Sequence, residues 1–456
     1  MQRFYVNYRK QRNLKLVNYR IMARVKTFDP RVLELVLMDQ KAELDAKRER
    51  RLCARPEEAL VDLNSTQAQV VIGVRRSGKS TLCFLALEHA GVHYAYVDFD
   101  DERLKGLQAE QLNDVLEVLY KIYGNFQYLF LDEIQDIDGW HLFVNRMLRM
   151  NMHVIVTGSN AKLLSTELST HLSGRSKEIY LYPFSFEEYC TMTDVDYTTN
   201  TTKAIGFRRA AFDEYMKNGG FPELLHNSDT RAYIRNLVDN ILKRDIENRY
   251  KIAYKAAFEQ MAHHLLNTAP CQVVTTDLSN LFHFKSEHTA KNYLSYLKQA
   301  FLLIGVQKYS TKSKFRVAQE KVYPVDVALM NNRDNAFAAE NLGWRLETIV
   351  LLRLLRKARQ EGYDIYYLLE RGGECDFLVC NDNRVLQCVQ VSYDISAEKT
   401  RKRELKGLKL AAQMTGCKNL LLLTDHDYED ATYEGLNIRI RPVHEWGNNE
   451  IVGEQK

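Results

Sequence analysis

Apolar residues fall along this chain in two patterns. Between residues 57 and 195, short and nearly continuous apolar runs alternate with segments of helical period. The runs are Gln69–Gly73, His93–Phe99, Gln127–Leu131, Met152–Thr157 and Lys177–Tyr182, each of strand length and enriched in β-branched or aromatic residues. The segment carrying Leu104, Leu107, Leu112, Val115, Leu116 and Leu119 has the spacing of a helix. Strands with no polar alternation must be covered on both faces. The pattern therefore predicts an α/β domain with a parallel sheet between helices.

Outside that region the pattern changes. Residues 27–56 read as a helix whose apolar stripe (Val32, Leu33, Leu35, Val36, Leu37) runs into the charged stretch KAELDAKRERR. From about 205 to 330 the chain is mainly helical, punctuated by the turn Gly219-Gly220-Phe221-Pro222 and later by Pro270 and Pro324. Thr276–Leu281 and His288–Phe301 read as short helices, and Leu302–Tyr309 with Lys314–Tyr323 as a β-hairpin, an order that suggests a winged helix. Beyond it, a long helix (Trp344–Arg359) precedes strands at Ile365–Leu369, Asp376–Cys380, Val385–Ser392 and Asn419–Thr424, which predicts a second, smaller α/β domain. No internal repeat or low-complexity tract interrupts the 456 residues.

Composition narrows the class. With 45% hydrophobic and 27% charged residues, 26 Tyr and 19 Phe, the chain has the content of two or three folded domains rather than of a disordered protein. No apolar run approaches the length that crosses a bilayer, so no membrane partner is expected. The eight cysteines are scattered without a C-x-x-C pair, the usage of reduced thiols in a cytoplasmic protein. The net charge of +4 hides an asymmetry, because residues 1–26 hold eight Lys/Arg and no acid. That stretch reads as a nucleic-acid-binding arm, a transit peptide or a solvated tail. Met22-Ala23 would serve as an initiator as well as Met1, which leaves the translation of residues 1–21 open.

Chemistry concentrates after the first apolar run. Gly73-Val74-Arg75-Arg76-Ser77-Gly78-Lys79-Ser80, followed by Thr81, matches G-x-x-x-x-G-K-[ST] between a strand and a helix. In such a loop backbone N–H groups converge on phosphates and the helix N-terminus adds partial positive charge. Lys79 is expected to reach the β- and γ-phosphates of ATP, and Ser80 to ligate Mg²⁺. Tyr128-Leu129-Phe130-Leu131-Asp132-Glu133 is an apolar strand ending on two acids. Asp132 is expected to hold Mg²⁺ through water and Glu133 to orient or deprotonate the attacking water. At the tip of the next strand, Ser159 and Asn160 are candidates to sense the γ-phosphate or position that water. Arg175 is a candidate transition-state cation, in cis or on a neighbouring subunit's nucleotide.

With these residues in view, the chain resembles a family of prokaryotic AAA-type ATPases whose ATPase domain precedes a C-terminal domain of unknown function with a restriction-endonuclease-like core. The resemblance covers about residues 50–430. It is carried by the 73–80 loop, Leu131-Asp132-Glu133-Ile134-Gln135, Thr157-Gly158-Ser159, Leu172-Ser173-Gly174-Arg175, Pro183-Phe184-Ser185-Phe186-Glu187-Glu188-Tyr189, Gly219-Gly220-Phe221-Pro222-Glu223 and Arg244-Asp245-Ile246. It implies an AAA-like core, a helical lid, a winged helix, and ATP with Mg²⁺ as ligands. The expected division is a basic arm and helix (1–56), ATPase core (57–195), lid (196–260), winged-helix-like unit (261–332) and degenerate nuclease-like domain (333–456). Nuclease cores of that type use a helix Glu, a strand acid and an E-x-K. Here these positions hold Glu347, Glu374-Cys375-Asp376 and Gln390-Val391-Ser392, so one carboxylate and the catalytic cation are missing and nuclease activity is not expected. Residual metal binding at Glu347 and Asp376 stays open.

Other clusters admit plainer roles. His283, Lys285, His288 and Lys291 with Tyr293 and Tyr296 could meet DNA, or belong to a packing helix with a solvated face. Arg401-Lys402-Arg403 offers the same choice. Cys375, Cys380 and Cys388 fit no zinc spacing, and His263-His264 reads as structural. The leading expectation is a Mg²⁺-dependent ATPase coupled to DNA or a protein partner, with a homo-oligomer as one candidate assembly. A nucleotide-gated DNA-binding module without turnover is the alternative, and a Mg²⁺-dependent nuclease the third.

Overall fold

The computed structural model describes residues 29–159, 172, 174–310, 320–331, 341–382 and 384–447. The basic stretch 1–26 and Asn160 lie outside them. Helix α1 (Pro30–Lys47) opens on Asp29, whose carboxylate accepts from Arg31 N, with proline in the first turn where its missing N–H costs nothing. Leu33, Val36, Leu37, Gln40 and Leu44 form its buried face, while Val32 and Leu35 of the expected stripe point to solvent.

Five strands follow, β1 (Ala68–Ile72), β2 (Tyr94–Asp98), β3 (Tyr128–Asp132), β4 (His153–Gly158) and β5 (Ser176–Tyr180). Helices α2 (Lys79–His89), α3 (Leu112–Tyr123) and α4 (Trp140–Arg149) lie between them in sequence. All five strands pair in parallel, in the order β2-β3-β4-β1-β5. Both faces are covered as the apolar runs predict: Leu33, Val36, Ala95, Val97 and Leu131 share one core, and Val71, Leu82, Phe84, Phe130 and Ile155 the other. This is the parallel sheet core of a P-loop nucleotide-binding fold. The loop after β1 sits at the carboxyl edge of a central strand, where open parallel sheets bind ligands.

The chain continues through α5 (Phe186–Met192), α6 (Thr202–Asn218) and α7 (Thr230–Asn240), the last extended by a π-helical segment at Ile241–Glu247. Next come α8 (Lys255–Thr268), β6 (Cys271–Val273), α9 (Thr275–Leu281), α10 (Glu287–Gln299), β7 (Leu303–Lys308) and β8 (Glu320–Pro324). The final part comprises α11 (Leu342–Glu361), β9 (Asp364–Glu370), β10 (Gly373–Asn381), β11 (Arg384–Val391), α12 (Glu398–Thr415), β12 (Leu420–Thr424), β13 (Glu429–Tyr433) and β14 (Leu436–Pro442). Among the described residues no helix is long and apolar enough to cross a membrane.

One boundary expected from sequence is not a break in the structure, and one expected unit is divided. The strands β6–β14 form one nine-stranded sheet in the order β13-β14-β12-β11-β10-β9-β7-β8-β6. It crosses the expected boundary at 332/333 because β7 pairs in parallel with β9, Gln307 opposite Tyr366 and Lys308 opposite Tyr367. Each strand would otherwise present an open edge of unpaired N–H and C=O groups, and the pairing satisfies both. The segment 196–260 is also divided. Phe212, Tyr215 and Met216 of α6 pack with Tyr323, Val350, Phe377 and Trp446, whereas Ile234, Leu237 and Val238 of α7 join the core of the first sheet. The hairpin β13–β14 is unanticipated, because its strands carry too many polar residues to stand out as apolar runs.

Candidate functional site

Glycine shapes the loop between β1 and α2. A Cβ at Gly73 would lie 2.1 Å from Leu181 O, and Gly78 has φ 98°, a backbone that side chains rarely adopt. Backbone turns close it, with Ser77 N donating to Val74 O at 3.2 Å and Thr81 N to Gly78 O at 3.0 Å. The Lys79 side chain is buried, its Nζ 3.2 Å from Val74 O and 3.4 Å from Glu133 Oε1. Among the described residues the hydroxyls of Ser77 and Ser159 are buried without a hydrogen-bond partner. Unpaired buried donors beside a helix N-terminus fit a polyphosphate, which supplies acceptor oxygens.

The acids at the end of β3 face this loop. Asp132 is buried and accepts from Thr157 Oγ1, and the nearby Ser80 hydroxyl favours its charged form, so the two residues expected to hold Mg²⁺ lie together. Burial, then the Glu133 charge, raises the pKa of Asp132. Burial also disfavours the charge on Glu133, but Lys79, Gln135, Arg75 and Ser159 outweigh it and hold the carboxyl below its usual range. Ser159 N donates to Glu133 Oε2 at 3.2 Å, and Glu133 itself has φ 50°. A non-glycine residue in left-handed backbone persists only where its surroundings over-determine it. Asp98, unmarked in the sequence reading, ends β2 directly opposite Asp132, and burial followed by that neighbour's charge pushes it up to about 8.

Arg75 and Arg76 belong to the loop, yet their side chains turn to acids. Arg75 pairs with Asp100 and lies 3.7 Å from Asp245, and Arg76 pairs with Glu223 and stacks over Tyr233. Asp245 sits in the π-helical segment, where burial pushes it up to about 6 against the pull of Arg75. Arg249 of the same stretch pairs with Asp136 just after β3. Beside the loop lies a cavity of about 540 Å³ lined by Cys53, Arg55, Gly78, Thr81, Phe184, Pro222 and His226 among others. Its residues come from four distant segments, which is why no single motif marked it.

Several expected participants are elsewhere. Arg175 is exposed just before β5, level with the start of β1, whose far end carries the phosphate loop, so the fold does not bring it to that loop in the same chain. Tyr293 is buried with its hydroxyl accepting from Ala253 N at 3.1 Å, and Tyr296 stacks on Tyr250 at 4.0 Å. Tyr293 is a packing residue, and Tyr296 is half-buried with one ring face taken by Tyr250. His264 packs edge-on against Phe282, and Cys375, Cys380 and Cys388 are buried free thiols. Among the described residues no group of three or more His, Cys, Asp and Glu side chains has the arrangement to hold a metal.

The second sheet does assemble Glu347, Glu374, Asp376, Gln390 and Ser392 around one cleft. A cation is present there after all, and it comes from β8. Lys321 Nζ lies 2.9 Å from Glu347, 2.8 Å from Glu374 and 3.9 Å from Asp376. Nothing in the local pattern around Lys321 announces this.

The chain is similar to several known proteins. Residues 65–190 match the model of a family described as an AAA domain, and residues 209–340 that of a domain of unknown function (DUF8612). An uncharacterized protein of Methanocaldococcus jannaschii is 29% identical over 405 residues, 85% of this chain and 89% of its own length. One of Haemophilus influenzae is 28% identical over 387 residues, 81% of this chain and 92% of its own. Among solved structures, the Walker-type ATPase of Pyrococcus abyssi aligns with TM-score 0.38 and 16% identity, covering 62% of this chain and 96% of its own. AMPPCP-bound DnaA from Aquifex aeolicus aligns with TM-score 0.25 and 15% identity over 57% and 88%.

Proposed function

We propose that this chain, an AAA-type P-loop protein, binds ATP with Mg²⁺ between β1 and β3 and hydrolyses it. The observation that carries the reading is the convergence of Lys79, Ser80, Asp132 and Glu133 at the carboxyl edge of one parallel sheet. Loop N–H groups and the α2 N-terminus would hold the phosphates, and the neighbouring apolar cavity has the size and lining for the base. Lys79 supplies a buried cation at the phosphate end. Ser80 and Asp132 would hold Mg²⁺, which supplies charge neutralisation along the triphosphate. Glu133, kept ionised by its neighbours, accepts a proton from water or orients it. Arg175, given its position, would serve only the nucleotide of a neighbouring copy in a homo-oligomer.

DNA is the proposed effector. The order α8-β6-α9-α10-β7-β8 with an antiparallel β6-β8-β7 sheet supports a winged-helix reading. The strand and helix order of β9–β12 supports a nuclease-like one, in a cytoplasmic protein. Turnover should be measured for wild type, Lys79→Ala and Glu133→Gln, each with and without duplex DNA. Lys79→Ala is expected to lose nucleotide binding and turnover together. Glu133→Gln is expected to keep binding while turnover falls by about 10²–10³-fold, the scale of a lost general base. Turnover that survives Lys79→Ala would refute the reading. Binding without turnover in every condition would leave a nucleotide-gated module.

A further inference from the structure

The cleft of the second sheet, about 980 Å³ in volume, combines features that its carboxylates alone would not give. Its floor carries three acids, and a divalent ion would ordinarily be required before a polyanion could approach them. Lys321 takes that place: its ammonium sits among Glu347, Glu374 and Asp376 at 2.9, 2.8 and 3.9 Å, on a side chain only 9% exposed. Tyr323 from the same strand donates to Glu347 Oε1 at 2.7 Å, and Asp376 Oδ2 accepts from Val391 N at 2.8 Å, so the floor is satisfied by the protein's own groups. Ser392, at the position of a nuclease lysine, turns its hydroxyl to Asp394 O at 3.3 Å.

The rim is basic in a regular way. Lys399, Lys402, Arg403 and Lys406 line the cleft at positions i, i+3, i+4 and i+7 of α12, one exposed stripe of the helix. Lys402 pairs with Glu398 and Arg403 with Glu404, but Lys399 and Lys406 have no ion-pair partner among the described residues. The stripe spans roughly 10 Å, room for two or three phosphates of one strand. Trp344, 39% exposed at the start of α11, lines the same cleft as a flat apolar surface. At the back, Gln390 is 5% exposed, its Nε2 donating to Glu404 Oε2 at 2.8 Å and its Oε1 packed against Gly407 of α12. A cationic track beside an aromatic platform is the arrangement that holds single strands.

We infer that this cleft binds single-stranded nucleic acid without a metal ion, Lys321 acting as the built-in counter-cation of its carboxylate floor. Resting on the reading of DNA as partner, the assignment gives that partner a site distinct from the ATP site. The test uses the full chain and labelled 20-nucleotide single strands and duplexes in EDTA, at two salt concentrations and without nucleotide. Wild type is expected to bind the single strand more tightly than the duplex, with an affinity that Mg²⁺ leaves unchanged. The double substitution Lys399→Glu with Lys406→Glu should weaken binding at least tenfold and flatten the salt dependence by about 1.4 in log–log slope, two phosphate contacts' worth. Trp344→Ala should cost at least fivefold, the loss of one stacked base. Lys321→Met should lose binding in EDTA and regain it with Ca²⁺, while Lys321→Arg keeps EDTA-resistant binding; melting curves check that each is folded. Lys79→Ala should bind the strand as wild type does, so a failed ATPase and a failed cleft give different results. Binding that requires a divalent ion, strand cleavage in Mg²⁺, preference for duplex, or indifference to the Lys399/Lys406 pair would each overturn the assignment.

Discussion

At the scale of single residues, burial decides which groups keep their charge. Glu133 stays ionised although largely shielded from water, because Lys79, Gln135 and Arg75 favour its charge. His444 shows the opposite balance. It packs 5.8 Å from Phe212, and burial, then the charges of Arg209 and Arg208, bring its pKa down to about 4. A histidine held neutral by the fold adds nothing to pH dependence above about 6.5, where both states are neutral. As pH falls from 6.5 towards 4 the unfolded chain takes up the proton first, and stability declines by up to about 3 kcal/mol. His444→Gln should reduce the difference in melting temperature between pH 7.5 and pH 5. An unchanged difference would place the acid sensitivity in other groups.

At the scale of elements, the segment joining β5 to α5 holds the phosphate loop in place through Arg55. Its guanidinium is buried, 2.6 Å from Glu188 Oε1, and donates to Ser77 O at 3.2 Å and Tyr182 O at 3.0 Å. Glu188 also closes the amino end of α5, accepting from Ser185 N at 2.6 Å. Removing one partner of a buried pair leaves the other charge uncompensated, at a cost of about 3–5 kcal/mol. Arg55→Met should lower the urea midpoint accordingly and weaken nucleotide binding through the displaced Ser77 carbonyl. Adding Glu188→Gln should recover part of the stability. A loss under about 1 kcal/mol would mean that water reaches the pair, as at exposed ion pairs.

At the scale of the whole molecule, α11 links the two sheets. Its Glu347 borders the second-sheet cleft, while Arg353 pairs with Glu187, Arg356 donates to Pro183 O, and Arg359 lies 3.3 Å over the Tyr180 ring. The distance from Glu347 to Arg359 is about 18 Å of continuous helix. From Pro183 the contacts pass through Arg55 to the phosphate loop. The two halves should therefore unfold together in calorimetry, with ATP raising the whole transition. The pair Arg353→Ala with Arg356→Ala should split it, leaving only the first-sheet portion responsive to ATP. A single transition in that variant would show that the shared core of α5, α6 and the second sheet suffices.

What the sequence alone determined is local chemistry. The phosphate loop, the acids ending β3 and the buried strands were legible because neighbouring residues create them: glycine conformations, a strand period and a helix start all lie within a dozen positions. The strand order, the pairing of β7 with β9 and the cavity beside Gly78 were not, since each joins segments far apart in the chain. Tertiary structure also separated residues that pattern had grouped, burying Tyr293, stacking Tyr296 on Tyr250 and setting Arg175 at the opposite end of the sheet from the phosphate loop. Lys321 is the sharpest case, 53 residues from Glu374 and on another strand. A charge acts across space rather than along the chain, so only the fold could supply the cation that its own strand pattern lacks.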